Sequence, residues 1–141
     1  MQTEATRSVD WRTGLASAVL REISQHLHKL AAGGGAELID LRSLPMTDAD
    51  RAELEERLGH GEVEADLYVS GESLVWETAY AGVWWIRHFG AGGRIASEQI
   101  AVVEVPDILV SHRADIARAA SRLHDDLEKT ETPRAEGMHD G

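Results

Sequence analysis

Apolar and polar positions alternate with different periods along this chain, and each period predicts an element. Leu15, Val19, Ile23, Leu27 and Leu30, with Ala18, recur at three- and four-residue steps, the spacing that lines one face of an α-helix. Ser8 or Asp10 can cap the start and Gly33-Gly34-Gly35 can stop it, so a helix is predicted from about Val9 to Ala32. Glu37 to Leu41 is short, apolar and bounded by turns, which predicts a brief strand. Pro45 disfavours helix at Leu44. Thr47 then stands as an N-cap with Asp48 and Asp50 in the first turn, and Gly59 closes a second helix over Asp48 to Leu58.

The period then changes to two. Val63, Ala65, Leu67 and Val69 alternate strictly with Glu62, Glu64, Asp66 and Tyr68, the mark of a strand with one wet face. Ser73 to Tyr80, Val83 to Phe89 and Arg94 to Val105 are three further β-rich runs separated by glycine turns, and Pro106 ends them. Asp107 to Val110 reads as a helical turn. Ser111 can cap a last helix whose Ile116, Ala120, Leu123 and Leu127 form a stripe. Helices at both ends of a block of strands predict an α+β, two-layer fold: a four-stranded antiparallel meander packed against N-terminal, middle and C-terminal helices, its other face left for solvent or a partner. Residues 1–8 are expected to be a flexible N-terminus, residues 9–128 a single domain and residues 129–141, polar and interrupted by Pro133, a disordered tail.

Composition narrows the chemistry. The 141 residues contain no cysteine, which excludes thiolate catalysis, cysteine-held zinc and iron–sulfur ligation, and disulfides. A net charge of −11 opposes binding to nucleic acid. No stretch approaches the roughly 20 apolar residues that span a bilayer, so no membrane association and a cytoplasmic location are expected. Of the seven histidines, His26 and His28 point to different helix faces, and His60, His88, His112, His124 and His139 are isolated, so no metal site is expected. His88 could approach Glu98 across a hairpin, as a structural pair rather than a catalytic dyad. No phosphate-cradling or nucleophile-elbow motif occurs, and no cofactor and no catalytic residue are expected.

Two features exceed the needs of a plain core. From Leu58 to Ile86 there are five carboxylates, Glu62, Glu64, Asp66, Glu72 and Glu77, and no Lys or Arg. Glu62, Glu64 and Asp66 read as one acidic strand face, either solvated to block edge pairing or able to meet a cation or a basic segment. The second feature is Trp84-Trp85. Neighbours on a strand point to opposite faces, so these indoles cannot share one core. Either a helix covers the second, or it is an aromatic anchor for a partner, with Trp76 and Tyr80 beside it.

The blocks Ile39-Asp40-Leu41-Arg42-Ser43-Leu44-Pro45-Met46, Leu58-Gly59-His60-Gly61-Glu62-Val63, Glu77-Thr78-Ala79-Tyr80-Ala81-Gly82-Val83-Trp84-Trp85, Glu98-Gln99-Ile100 and Val105-Pro106-Asp107-Ile108-Leu109 together resemble the C-terminal conserved region of the HupH/HyaF family, over about residues 36–123. The resemblance implies a non-catalytic, chaperone-like accessory role in maturation of a nickel–iron uptake hydrogenase. Its expected partners are a subunit precursor, with the small iron–sulfur subunit as client, and other maturation proteins. Longer members carry a further region ahead of this one, where here only a helix is expected. The expected partner surface comprises Trp76, Trp84, Trp85, Tyr80, Glu62, Glu64 and Asp66. From another class, the competing reading is a small metal-handling or hydrolytic enzyme using His60 or His88 with nearby carboxylates, and a third is a homo-oligomer joined through the second sheet face.

Overall fold

The computed structural model describes residues 11–68 and 70–140, with side chains as far as residue 130. The first eight residues and residue 141 therefore lie outside it, as do Ser8 and Asp10 as caps. Two compact units divide the chain at Pro106.

The first unit is a five-stranded antiparallel sheet in the order β1-β5-β4-β3-β2, with β1 Glu37–Asp40, β2 Glu64–Tyr68, β3 Glu72–Glu77, β4 Val83–Phe89 and β5 Ile95–Val102. Strands β2 to β5 form the expected meander. The fifth strand is the short N-terminal run, which pairs with β5 through Ile39 opposite Ile100; the sheet thus has one strand more than the four expected, because the edge of β5 remained free for a strand distant in sequence. Helix α1 spans Leu15–Ala31 and α2 Asp48–Leu58. Helix α1 starts later than its pattern suggested, at Gly14 in a left-handed conformation.

The two helices cover one sheet face. Ala16, Val19 and Ile23 of α1 and Leu54 and Leu58 of α2 form one buried cluster with Ile39, Trp76, Val83, Trp85, Ile100 and Val102. On the opposite face, expected to be free, Val75, Trp84, Ile86 and Ala101 are buried at the centre. That face is too apolar to stand in water at a typical worth of about 25 cal/mol per Å². Trp84 is fixed where the chain leaves β5, its Nε1 donating to the Val103 carbonyl at 3.1 Å.

Strand β3 stops at Glu77 rather than Tyr80 because buried Thr78 builds the turn itself. Its hydroxyl donates to the Val83 carbonyl at 2.9 Å and accepts from the Tyr80 N–H at 3.1 Å. At the other end of the helical layer, Thr47 and Asp50 form a reciprocal capping box on α2. Fully buried Asp50 also accepts the N–H and hydroxyl of Thr13 at 2.7 and 2.6 Å, so one carboxylate ties the approach to α1 to the start of α2.

The second unit holds a short 3-10 turn, Asp107–Leu109, and helix α3, Arg113–Asp140. Its stripe residues Ile116, Leu123 and Leu127 are exposed.

Burial raises the proton affinity of Asp50, but the hydrogen bonds from Thr13 and Thr47 more than offset this and hold its carboxyl below the ordinary value of 3.8. Because the folded value is the lower one, the stabilisation is complete above 3.8 and is lost as pH falls through the lowered value. Asp50→Ala is expected to cost about 1–3 kcal/mol in urea unfolding at neutral pH. It is also expected to flatten the dependence of stability on pH in the acid range.

Candidate functional site

Side chains of opposite charge alternate where α2 crosses the sheet. Glu98, on the helix-covered face of β5, is wholly inaccessible to solvent. Its Oε2 accepts the Trp85 indole N–H at 2.9 Å and Arg87 Nε at 2.7 Å, while Arg51 Nε of α2 lies 3.1 Å from Oε1, an ion pair not aligned as a hydrogen bond. Arg87 reaches on to Glu55 Oε1 at 3.2 Å. Arg51 and Glu55 lie one helical turn apart, so α2 presents one cation and one anion to the matching pair Glu98 and Arg87.

An aromatic stack leans on this ring. Trp76 and Trp85, paired across β3 and β4, lie with centroids 5.6 Å apart and planes within 6°. His60 stacks on the far side of Trp76 at 4.7 Å, with Glu55 Oε2 at 3.7 Å from its Nε2. The Arg87 guanidinium carbon lies 5.2 Å from the Trp76 centroid and 5.8 Å from that of Trp85, close enough for cation–π attraction. The loop that carries His60 is held by two glycines. Gly59 ends α2 with φ of 69°, and a Cβ on Gly61 would come within 2.6 Å of the Thr78 carbonyl.

Outside this core are two surfaces. Among the described residues, strand β2 pairs on one side only, with β3. Glu64 lies opposite Trp76 and Asp66 opposite Leu74, so these acids belong to the helix-bearing side of the sheet yet stay exposed, beyond the cover of the helices. The Tyr68 hydroxyl donates to Asp66 at 3.0 Å, and Glu72 comes within hydrogen-bonding reach of Asp66. The shared contact with Asp66, then burial, raises the proton affinity of Glu72, and Tyr68 too is raised, first by its bond to Asp66. The second surface is a groove of about 250 Å³ between α1, α2 and the β3–β4 turn, lined by Leu20, Leu27, Arg57, Leu58, Tyr80 and Val83 among others. Tyr80, at the tip of that turn, is 53% exposed.

The residues expected at a partner surface thus separate. Trp76, Trp84 and Trp85 are 3%, 5% and 0% exposed and are core in this chain. Alternation does put Trp84 and Trp85 on opposite faces, and both indoles are buried. Glu64, Asp66 and Tyr80 are exposed, and Glu62 is exposed just ahead of β2. His60 and His88 are not brought together: His60 stacks on the helix-covered face, whereas His88 alternates onto the other with Trp84 and Ile86. The expected approach of His88 to Glu98 fails for the same reason, since Glu98 is directly opposite Arg87 and His88 is opposite Ser97. His88 Nδ1 instead bonds the Ser73 hydroxyl at 2.6 Å, a direct cross-strand pair. Among the described residues no group of three or more His, Asp or Glu could hold a metal ion, and no helix is long and apolar enough to cross a membrane. The Glu98–Arg87–Arg51–Glu55 ring was missed by sequence reasoning, although Glu98 precedes Ile100 and Val102 at two-residue steps on a core-facing row.

The stack contains an internal control. Trp76 Nε1 is buried and finds no partner among the described residues, whereas Trp85 Nε1 serves Glu98. Both Trp→Phe changes remove the same atoms, but only Trp85→Phe breaks a bond to a charged acceptor. It is expected to destabilise more than Trp76→Phe by about 1.5–3 kcal/mol in denaturant titration.

Comparison with known proteins bears on all of these elements. The family described as HupH hydrogenase expression protein, C-terminal conserved region, matches residues 15–130, which takes in α1 as well as the blocks from residue 36 onward. The hydrogenase expression/formation protein HupH of Rhodobacter capsulatus is 30% identical over 108 residues, 75% of this chain and 39% of its own length. HoxQ of Azotobacter vinelandii, also named a hydrogenase expression/formation protein, is 30% identical over 93 residues, 66% of this chain and 33% of its own. The chain therefore spans only between a third and two-fifths of these curated relatives. The solved structure of hydrogenase expression protein HupH from Thiobacillus denitrificans ATCC 25259 superposes with a TM-score of 0.80 at 43% identity, covering 84% of this chain and 99% of that one. This chain belongs to the HupH hydrogenase expression protein family, through its C-terminal conserved region.

Proposed function

We propose that the chain is a non-catalytic accessory protein of nickel–iron hydrogenase maturation, acting in the cytoplasm by holding a subunit precursor, with the small iron–sulfur subunit as client. The observation that carries this reading is the family match, which extends over residues 15–130 and so over α1, α2 and every strand of the sheet. Relatives bearing that region are named for hydrogenase expression and formation.

The surface assigned to the client is the open edge of β2 with Glu62, Glu64 and Asp66, together with Tyr80 and its groove. An unpaired strand edge offers backbone donors and acceptors to an extended segment. Carboxylates beside it favour a segment carrying Lys or Arg. The closeness of Asp66 to Glu72 adds to this, because a cation placed beside them would meet two neighbouring carboxylates at once. The buried indoles position this surface rather than touch the client.

A tagged chain expressed beside the hydrogenase genes is expected to retain a hydrogenase subunit. Glu64→Lys with Asp66→Lys, or Tyr80→Ala, is expected to reduce that retention by about tenfold or more while the unfolding midpoint stays near that of the parent. Retention of no subunit and no other maturation protein by the parent chain, with unchanged hydrogenase activity after its deletion, would sink the proposal.

A further inference from the structure

The backbone of β2 has a fixed phase. The Glu77 N–H donates to the Val63 carbonyl at 2.9 Å, and Glu64 stands directly opposite Trp76, Ala65 opposite Val75 and Asp66 opposite Leu74. In an antiparallel ladder, residues that exchange both backbone bonds alternate with residues that exchange none, so this one bond sets the rest. Ala65 and Leu67 turn their N–H and C=O groups toward β3. Glu64 and Asp66 turn theirs outward, where among the described residues no strand receives them. An extended segment is the partner that bonds such a row in series.

The two sides of this edge differ in chemistry. On the helix-bearing side, Ile100, Trp85, Trp76 and Glu64 form one row across the sheet, and Glu98, Arg87, Leu74 and Asp66 form the next. Each row ends at the edge in an exposed carboxylate, and no Lys or Arg occurs from Leu58 to Ile86 to neutralise it. On the other side, the row of Ile86, Val75 and Ala65 reaches the edge as apolar side chains, buried at Ile86 and Val75 and half-buried at Ala65. A strand laid on β2 extends each row by one residue. Lys or Arg is favoured opposite Glu64 and Asp66, and an apolar residue between them continues the row of Ala65. A second copy of β2 does not fit, since it sets carboxylate against carboxylate.

We infer that the β2 edge takes an extended partner segment in which Lys or Arg alternates with apolar residues, bonded through the backbone of Glu64 and Asp66. The inference rests on the maturation reading for who the partner is, and on the sheet alone for the pattern it carries. The same acids that discourage edge-to-edge pairing of two copies select a chain of opposite charge.

Titration of the full chain with a short capped peptide that alternates Lys with Val tests the pattern. It is expected to bind at least about tenfold tighter than a peptide of the same composition with its Lys and Val in two blocks, which separates pattern from charge. Amide hydrogen exchange read by NMR is expected to slow on binding at Glu64 and Asp66 and to stay unchanged at Ala65 and Leu67, which already pair with β3. Glu64→Lys with Asp66→Lys is expected to reverse the choice, so that a peptide alternating Glu with Val binds the variant and the Lys peptide does not. Loss of folding cannot produce such a reversal. Equal binding of the two Lys peptides, protection that avoids Glu64 and Asp66, or a choice indifferent to charge reversal overturns the inference. So does protection of those two amides at high protein concentration without peptide, the sign of a second copy on the edge. Retention of a hydrogenase subunit judges the maturation reading separately: retention without a choice between peptides removes this inference alone, and a choice without retention removes that reading alone.

Discussion

The buried carboxylate of Glu98 is the interaction on which the arrangement of this sheet and its helices depends. An ionised carboxylate taken out of water loses several kcal/mol of hydration, and only well-placed partners restore it. Here the partners come from separate elements: Trp85 and Arg87 from β4, and Arg51 from α2. A single side chain thus fixes the neighbouring strand and the helix laid across it. Arg87 carries the constraint further, to Glu55 and to the faces of Trp76 and Trp85, so the polar ring and the aromatic stack form one packed object.

That constraint changes the functional meaning of the tryptophans. Conspicuous aromatic residues on a strand invite the reading of an exposed anchor, but an indole donating to a wholly buried carboxylate is part of the interior. What the sheet offers outward is set by where the helical layer ends. Strand β2 lies beyond it, so its acids remain wet although they share a face with Trp76. In the proposed reading, the ring behind this edge holds it in place and so lowers the ordering cost a partner must meet.

Much of this fold was legible in the sequence because its signals are local. Thr47, Asp50 and Gly59 define α2 to the residue, and the glycine-bounded run of apolar and aromatic residues defines β4 just as sharply. Boundaries failed where side chains replace backbone pairing, as Thr78 does at the end of β3. The pairing of β1 with β5 was not legible, since nothing in a short apolar run states which free edge it will join. Whether the second indole of the Trp84-Trp85 pair is buried or left as an anchor was not legible for a related reason: alternation gives direction, not cover. Glu64, Asp66 and Tyr80, expected at a partner surface, are exposed in the structure. Glu98 was hidden by the habit of assigning charges to wet faces, although its register opposite Arg87 and its row with Ile100 and Val102 marked it as an inward acid with a cross-strand partner.

The central claim is that Glu98 and Arg87 act as one buried unit. A double-mutant cycle with Glu98→Gln, Arg87→Met and the pair, followed by denaturant unfolding, tests it most directly. Each single change is expected to cost about 3–5 kcal/mol, because it strands the other charge in the interior, and the double change is expected to fall well below their sum. Additive effects, or single changes costing under about 1 kcal/mol as solvent-exposed pairs do, would contradict the account.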